Sequence, residues 1–163
     1  MASRADFSDE EWARVGRAPL LCGFAISLAD PGGPIEAIKE SGAALRTAIE
    51  AANGREFGPF VRSLASDLAA KAQRRESPLA SFVPDRRGGL DQILEELRYV
   101  HSLLLEKASP EDMDDFREWL RTASQQAALA AKEGGFLGIG AVRVSEREQQ
   151  MLETLGEIFG VPR

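Results

Sequence analysis

Leu90-Asp91-Gln92-Ile93-Leu94-Glu95-Glu96-Leu97-Arg98-Tyr99-Val100-His101-Ser102-Leu103-Leu104-Leu105-Glu106-Lys107 decides the fold class. Leu90, Ile93, Leu94, Leu97, Val100, His101 and Leu104 recur every three or four residues, which gathers them on one side of an α-helix and leaves most charges on the other. A β-strand would need alternation with a period of two, and no segment of the chain alternates over a convincing length. The Leu90–Lys107 stripe therefore sets an α-helical frame for its neighbours.

Working outward, helix punctuation recurs. Ser109-Pro110-Glu111-Asp112 places a hydroxyl N-cap before a first-turn proline and two acids, which suit the positive end of the helix dipole, and predicts a helix to about Lys132. Ser8-Asp9-Glu10-Glu11 and Ser145-Glu146-Arg147-Glu148 are capping boxes, each with a glutamate three residues after the serine. The first opens a long helix with the stripe Trp12, Val15, Pro19, Cys22, Ile26, Ala29. That helix is apolar all round in its second half, and Pro19 should kink or break it. The second opens a helix carrying Met151, Leu152, Leu155, Ile158 and Phe159, closed by Gly160 and Pro162.

Between these lie a helix from about Pro34 to Ala52, with inner face Ile35, Ile38, Gly42, Leu45 and Ile49, stopped at Asn53-Gly54, and another near Pro59 to Gln73 anchored by Phe60, Val61, Leu64 and Leu68. Arg74 to Gly89 collects prolines, serines and charges and is expected to be a flexible loop. The sum is an all-α single domain spanning 1–163, a bundle of about six helices. The second half of helix 1 and the Leu90–Lys107 helix are expected at its centre. Two units with serine-capped starts and Gly-Gly ends, Gly32-Gly33 and Gly134-Gly135, leave open that the bundle is two related helical hairpins.

With 163 residues, of which 44% are apolar, the chain is long enough to bury a core without staples. Its single cysteine, Cys22, rules out an intramolecular disulfide and a cysteine-rich zinc site. The formal net charge of -6 argues against nucleic acid as a partner, and the longest apolar run, Ala18 to Ala29, falls short of the ~20 residues that span a bilayer. The N-terminal residues lack the apolar stretch of a secretion signal, so a cytoplasmic protein is expected.

Few residues suggest chemistry. His101 is the only histidine and sits on an apolar face. It is expected to be a half-buried residue satisfied by a carbonyl or carboxylate, with a catalytic base as the competing role. Cys22, on the inner stripe of helix 1, is expected to be a core residue. Glu133 to Arg143 is glycine-rich and apolar but lacks the dinucleotide fingerprint and the phosphate-loop lysine. Phe136, Leu137 and Ile139 either fill the core from an interhelical connection or form an exposed docking patch for a partner. The basic run Lys71–Arg87 and the acidic run Glu106–Glu118 are either solvated faces or a complementary pair.

Ala18-Pro19-Leu20-Leu21-Cys22-Gly23-Phe24-Ala25-Ile26-Ser27-Leu28-Ala29-Asp30, together with Val144-Ser145-Glu146-Arg147-Glu148, resembles the helix, acidic loop and S-x-x-E helix pattern of TerB-like domains of the tellurite-resistance and stress-response group. The resemblance covers about a third of the chain. It implies an all-helical, metal-responsive or membrane-associated interaction module. Carried over position by position, it assigns Asp30, Glu36 and Glu146 to a divalent cation. The chain departs from the pattern in two places: Gly32-Gly33 replaces an acidic linking loop, and the second loop is apolar. The expected function is a non-catalytic, stress-associated interaction module with a protein partner or a second copy of itself. The alternative is a divalent-cation or small-ligand sensor using loop carboxylates. No cofactor other than such a cation is expected.

Overall fold

The computed structural model describes residues 1–29, 34–79, 82–84, 89–130 and 144–160, residues 34–40 by their backbone. A short 3-10 helix, Arg4–Asp6, precedes α1 (Asp9–Gly16), α2 (Ala18–Ala29), α3 (Pro34–Glu50), α4 (Pro59–Gln73), α5 (Gly89–Lys107), α6 (Pro110–Ala130) and α7 (Glu146–Ile158). Among the described residues there is no strand, and the protein is an all-α bundle. No described helix is long and apolar enough to cross a membrane.

Local sequence accounts for most boundaries. Ser8 Oγ accepts from Glu11 N–H at 3.1 Å while Ser8 N–H donates to Glu11 Oε2 at 2.7 Å, so two orphan amides are satisfied at the start of α1. Ser145 and Glu148 repeat this at α7, at 3.2 and 2.8 Å. The first expected helix is two helices, which raises the count above six. The break falls at Arg17, two residues before Pro19, because proline is comfortable in the first turn of α2, where its missing N–H would have no intrahelical acceptor.

Two further endings differ in mechanism. Neither Asn53 nor Gly54 has positive φ, and α3 instead tightens into bonds from Ala52 N–H to Ile49 and from Asn53 N–H to Glu50. At the end of α4, Arg75 takes φ 57° and Glu76 N–H reaches back to the Lys71 carbonyl at 2.9 Å, a Schellman closure on a residue other than glycine. Gly160, φ +68°, closes α7 as expected.

Nine of the twelve residues of α2 are buried, and α1, α3, α5, α6 and α7 all pack on it. The expected inner face of α5 is largely enclosed, but α6 is the helix that shares the centre with α2, since it lies against α2, α3, α4 and α7. The inner face of α3 is borne out in part: Leu45 and Ile49 pack against the core, Gly42 does not, and the side chains of Ile35 and Ile38 lie outside the described residues. Gly42 is exposed and Leu45 and Ile49 are half-buried, whereas Ala44 and Ala48 are fully enclosed and Ala51 nearly so. These alanines face a helix whose own Ala123 and Ala127 are fully enclosed, and small side chains on both sides let α3 and α6 pack closely.

A chain of rings runs through the core. Phe7, Trp12 and Phe60 meet pairwise with centroids 5.6 to 6.0 Å apart. Phe60 then reaches Phe116, which touches both Trp119 and Phe159. The two indole N–H groups are satisfied, by Asp67 at 2.7 Å and by the Ala48 carbonyl at 3.1 Å.

Candidate functional site: the groove between α6 and α7

The repeat of three and four residues that builds α6 sets Leu120 and Ser124 inward and leaves Arg117, Arg121 and Gln125 one turn apart above them. On α7 the same geometry brings Gln149, Leu152, Glu153 and Gly156 to the facing side. Between the two helices lies a groove of about 270 Å³, floored by Cys22 of α2, Leu120, Leu155 and Phe159. Gly156, in the last turn of α7, lines the groove and brings no side chain to its wall.

The rim is charged and locally balanced. Arg117 donates from Nε to the Phe159 carbonyl at 2.6 Å and from Nη1 to Asp114 at 2.8 Å. Arg121 is held by Glu118 and donates to Gln125 Oε1 at 2.8 Å. On the opposite wall Glu153 and Glu157 are exposed. At the floor, burial pushes the Cys22 thiol up to about 12, against a smaller opposing effect of the Ser124 hydroxyl, so the sulfur is a protonated, apolar surface at neutral pH.

His101 stands behind the groove. Its ring meets Phe159 edge to face, and its Nε2 is enclosed with no hydrogen-bond partner, so the carbonyl or carboxylate expected there does not satisfy this nitrogen. Burial, and then the positive charge of Arg117, hold the imidazole below its ordinary value. Among the described residues, His101 Nε2 makes no hydrogen bond to the Cys22 thiol or to a serine hydroxyl, and the Ser124 hydroxyl donates instead to the Leu120 carbonyl at 2.7 Å.

The cation positions come out unevenly. Glu146 is exposed at the first residue of α7, and of its capping partners it is Glu148 that is buried. Asp30 lies outside the described residues, as do Phe136, Leu137 and Ile139; Glu36 is described only as backbone within α3. Among the described residues no three His, Cys, Asp or Glu side chains gather where a metal ion would sit. The acidic and basic runs do not pair with each other there: Arg74 binds Glu76, and Arg117 and Arg121 bind Asp114 and Glu118 on their own helix.

Sequence reasoning missed the groove and the buried ion cluster of Arg14, Arg17 and Glu96. Arg14 and Arg17 both donate to Glu96, at 2.6 to 2.8 Å, and Arg17 also donates to the Leu79 carbonyl at 3.1 Å. A signal for the groove was present in Gly156, a glycine inside an otherwise regular apolar stripe. Comparison with protein-family models, with curated proteins and with solved structures gave no match.

Proposed function

We propose that the chain is a non-catalytic interaction module and that the groove between α6 and α7 receives an apolar side chain of a protein partner. The observation that carries this is the groove's construction, an apolar floor of Cys22, Leu120, Leu155 and Phe159 under a rim of side chains able to form polar contacts. At about 270 Å³ the groove has room for one large side chain. A large side chain entering a desolvated pit inside a polar rim is how protein interfaces concentrate their binding energy. The protonated thiol and the unpartnered Nε2 of His101 support a binding role over a catalytic one. The stress-associated setting implied by the TerB-like resemblance, and a cytoplasmic location, belong to the same proposal.

The test uses a mimic of the anchor. The ¹⁵N-labelled chain is titrated with N-acetyl-phenylalanine methylamide, and amide shifts are followed. Saturable shifts concentrated at Gln125, Gln149 and Gly156 are expected, with a dissociation constant on the order of 1 mM, which corresponds to about -4 kcal/mol. Shifts scattered over the surface, or none at the groove up to the solubility of the mimic, would remove the proposal.

A further inference from the structure

The groove has a titratable support. The His101 and Phe159 ring centroids are 5.4 Å apart with their planes at 66°. Phe159 is 2% exposed and forms part of the groove floor, while its carbonyl accepts from Arg117, which lines the rim. The one imidazole of the chain and a guanidinium thus bear on the same residue at the end of α7. His101 Nε2 is enclosed with no acceptor, so a proton added to this ring has no partner at that nitrogen.

We propose that His101 is a proton-operated support of the groove: neutral, it holds Phe159 in the floor, and protonated, it sets a second cation beside Arg117 and loosens the C-terminal end of α7. This rests on the groove as the binding seat and supplies its regulation. Among the described groups on the elements around α5, Arg117 is the charge that acts on the ring. Arg14 and Arg17 of α1 and its following turn are occupied by Glu96. The Cys22 thiol of α2 is uncharged, Glu153 and Glu157 of α7 are exposed to solvent, and Arg98, one turn away on α5, is itself a cation.

The sign follows from linkage. The unfolded imidazole takes its proton near its ordinary 6.5, and the folded one only at lower pH, so the support is fully present above 6.5 and is lost as pH falls below it toward the folded value. Each unit of separation allows up to a tenfold rise in the opening of α7.

The full chain, without any ligand, is titrated from pH 8 to pH 5 by NMR. The His101 ring should titrate with a midpoint below 6.5, the amides of Gly156 and Gly160 should follow that same midpoint, and His101→Gln should abolish their transition. If that variant does not fold, Arg117→Gln serves instead: the His101 midpoint should rise toward 6.5 and the coupled shift of Gly160 should shrink. Flat Gly156 and Gly160 amides while His101 titrates, or an unchanged transition in His101→Gln, would overturn the proposal. Since no ligand is present, that failure leaves the groove's binding standing. Failure of the anchor titration at neutral pH removes the binding seat and leaves the coupling of His101 to α7 intact.

Discussion

The Arg17 guanidinium donates to Glu96 Oε1 at 2.7 Å with both side chains buried, and so fastens the turn between α1 and α2 to the middle of α5. Arg14 adds two further bonds to the same carboxylate and lies over the Tyr99 ring at 3.5 Å. One acid thus serves two cations, and its removal leaves both unmatched. Glu96→Gln should cost about 3 kcal/mol, because it strands the buried Arg17 guanidinium without its counter-charge. Urea unfolding monitored by circular dichroism measures this, and a loss under 1 kcal/mol would show that the cluster is solvated.

The same carboxylate shapes the acid limb of stability. Burial alone would push Glu96 up, but its hydrogen bonds from Arg14 and Arg17 outweigh that and hold it below its ordinary 4.5. Asp112 behaves alike: burial opposes, and bonds from Ser109 and the Ala2 N–H, the latter at 2.6 Å, hold it below 3.8. Each contribution is present above the ordinary value and is lost as pH falls through the lower folded one. Stability should therefore decline below about pH 4.5, and the decline should be shallower in Glu96→Gln. Equal slopes in the two proteins would exclude Glu96 as a cause.

Much of this architecture was legible beforehand, and the reasons for the misses are physical. The capping boxes at Ser8 and Ser145 specify helix starts because their bonds are local, within four residues. The stripe of α4 specifies its buried face because Phe60, Val61, Leu64 and Leu68 are large and unambiguous. On α3, Leu45 and Ile49 pack against the core only half-buried, because close approach to α6 puts Ala44 and Ala48 at the centre, which hydropathy does not favour. The Arg14, Arg17 and Glu96 cluster is invisible to any local pattern, as about 80 residues separate its partners; no spacing rule reaches that far. The groove was missed for a related reason: it exists only where α6, α7 and Cys22 of α2 converge.

The alanine contact between α3 and α6 predicts intolerance to added volume. Ala48→Leu places three more carbons at a fully enclosed site whose carbonyl accepts from Trp119, and should cost about 1–3 kcal/mol. The same substitution at exposed Gly42 meets open space. Thermal melts of the two variants compare these sites directly. Similar melting temperatures would contradict the close packing.

At the end of α4, Arg75 holds a left-handed conformation at which a side chain is penalised. Arg75→Gly should stabilise the protein by up to about 1 kcal/mol, the usual advantage of glycine at this cap position offset by its greater unfolded-state freedom. Destabilisation in denaturant titrations would mean that the side chain makes a contact worth more than the strain.

Cys22 reports on the groove floor. With its thiol pushed up to about 12 from 9.0, thiolate at pH 8 is suppressed by about a thousandfold relative to an unfolded cysteine, and the sulfur is also buried. Labelling by 5,5′-dithiobis(2-nitrobenzoic acid) should be slow in the folded protein and rapid in urea. Rapid labelling under native conditions would mean that the floor is open to a reagent of that size.

The central claim is that the space left beside Gly156 serves binding, and Gly156→Phe addresses it most directly. The substitution places a ring at a groove-lining position in the last turn of α7, where phenylalanine has better helix propensity than glycine, and circular dichroism should show the variant folded. Affinity for N-acetyl-phenylalanine methylamide, measured by NMR on both proteins, should fall at least tenfold in the variant. Undiminished affinity in a folded Gly156→Phe protein would contradict the account.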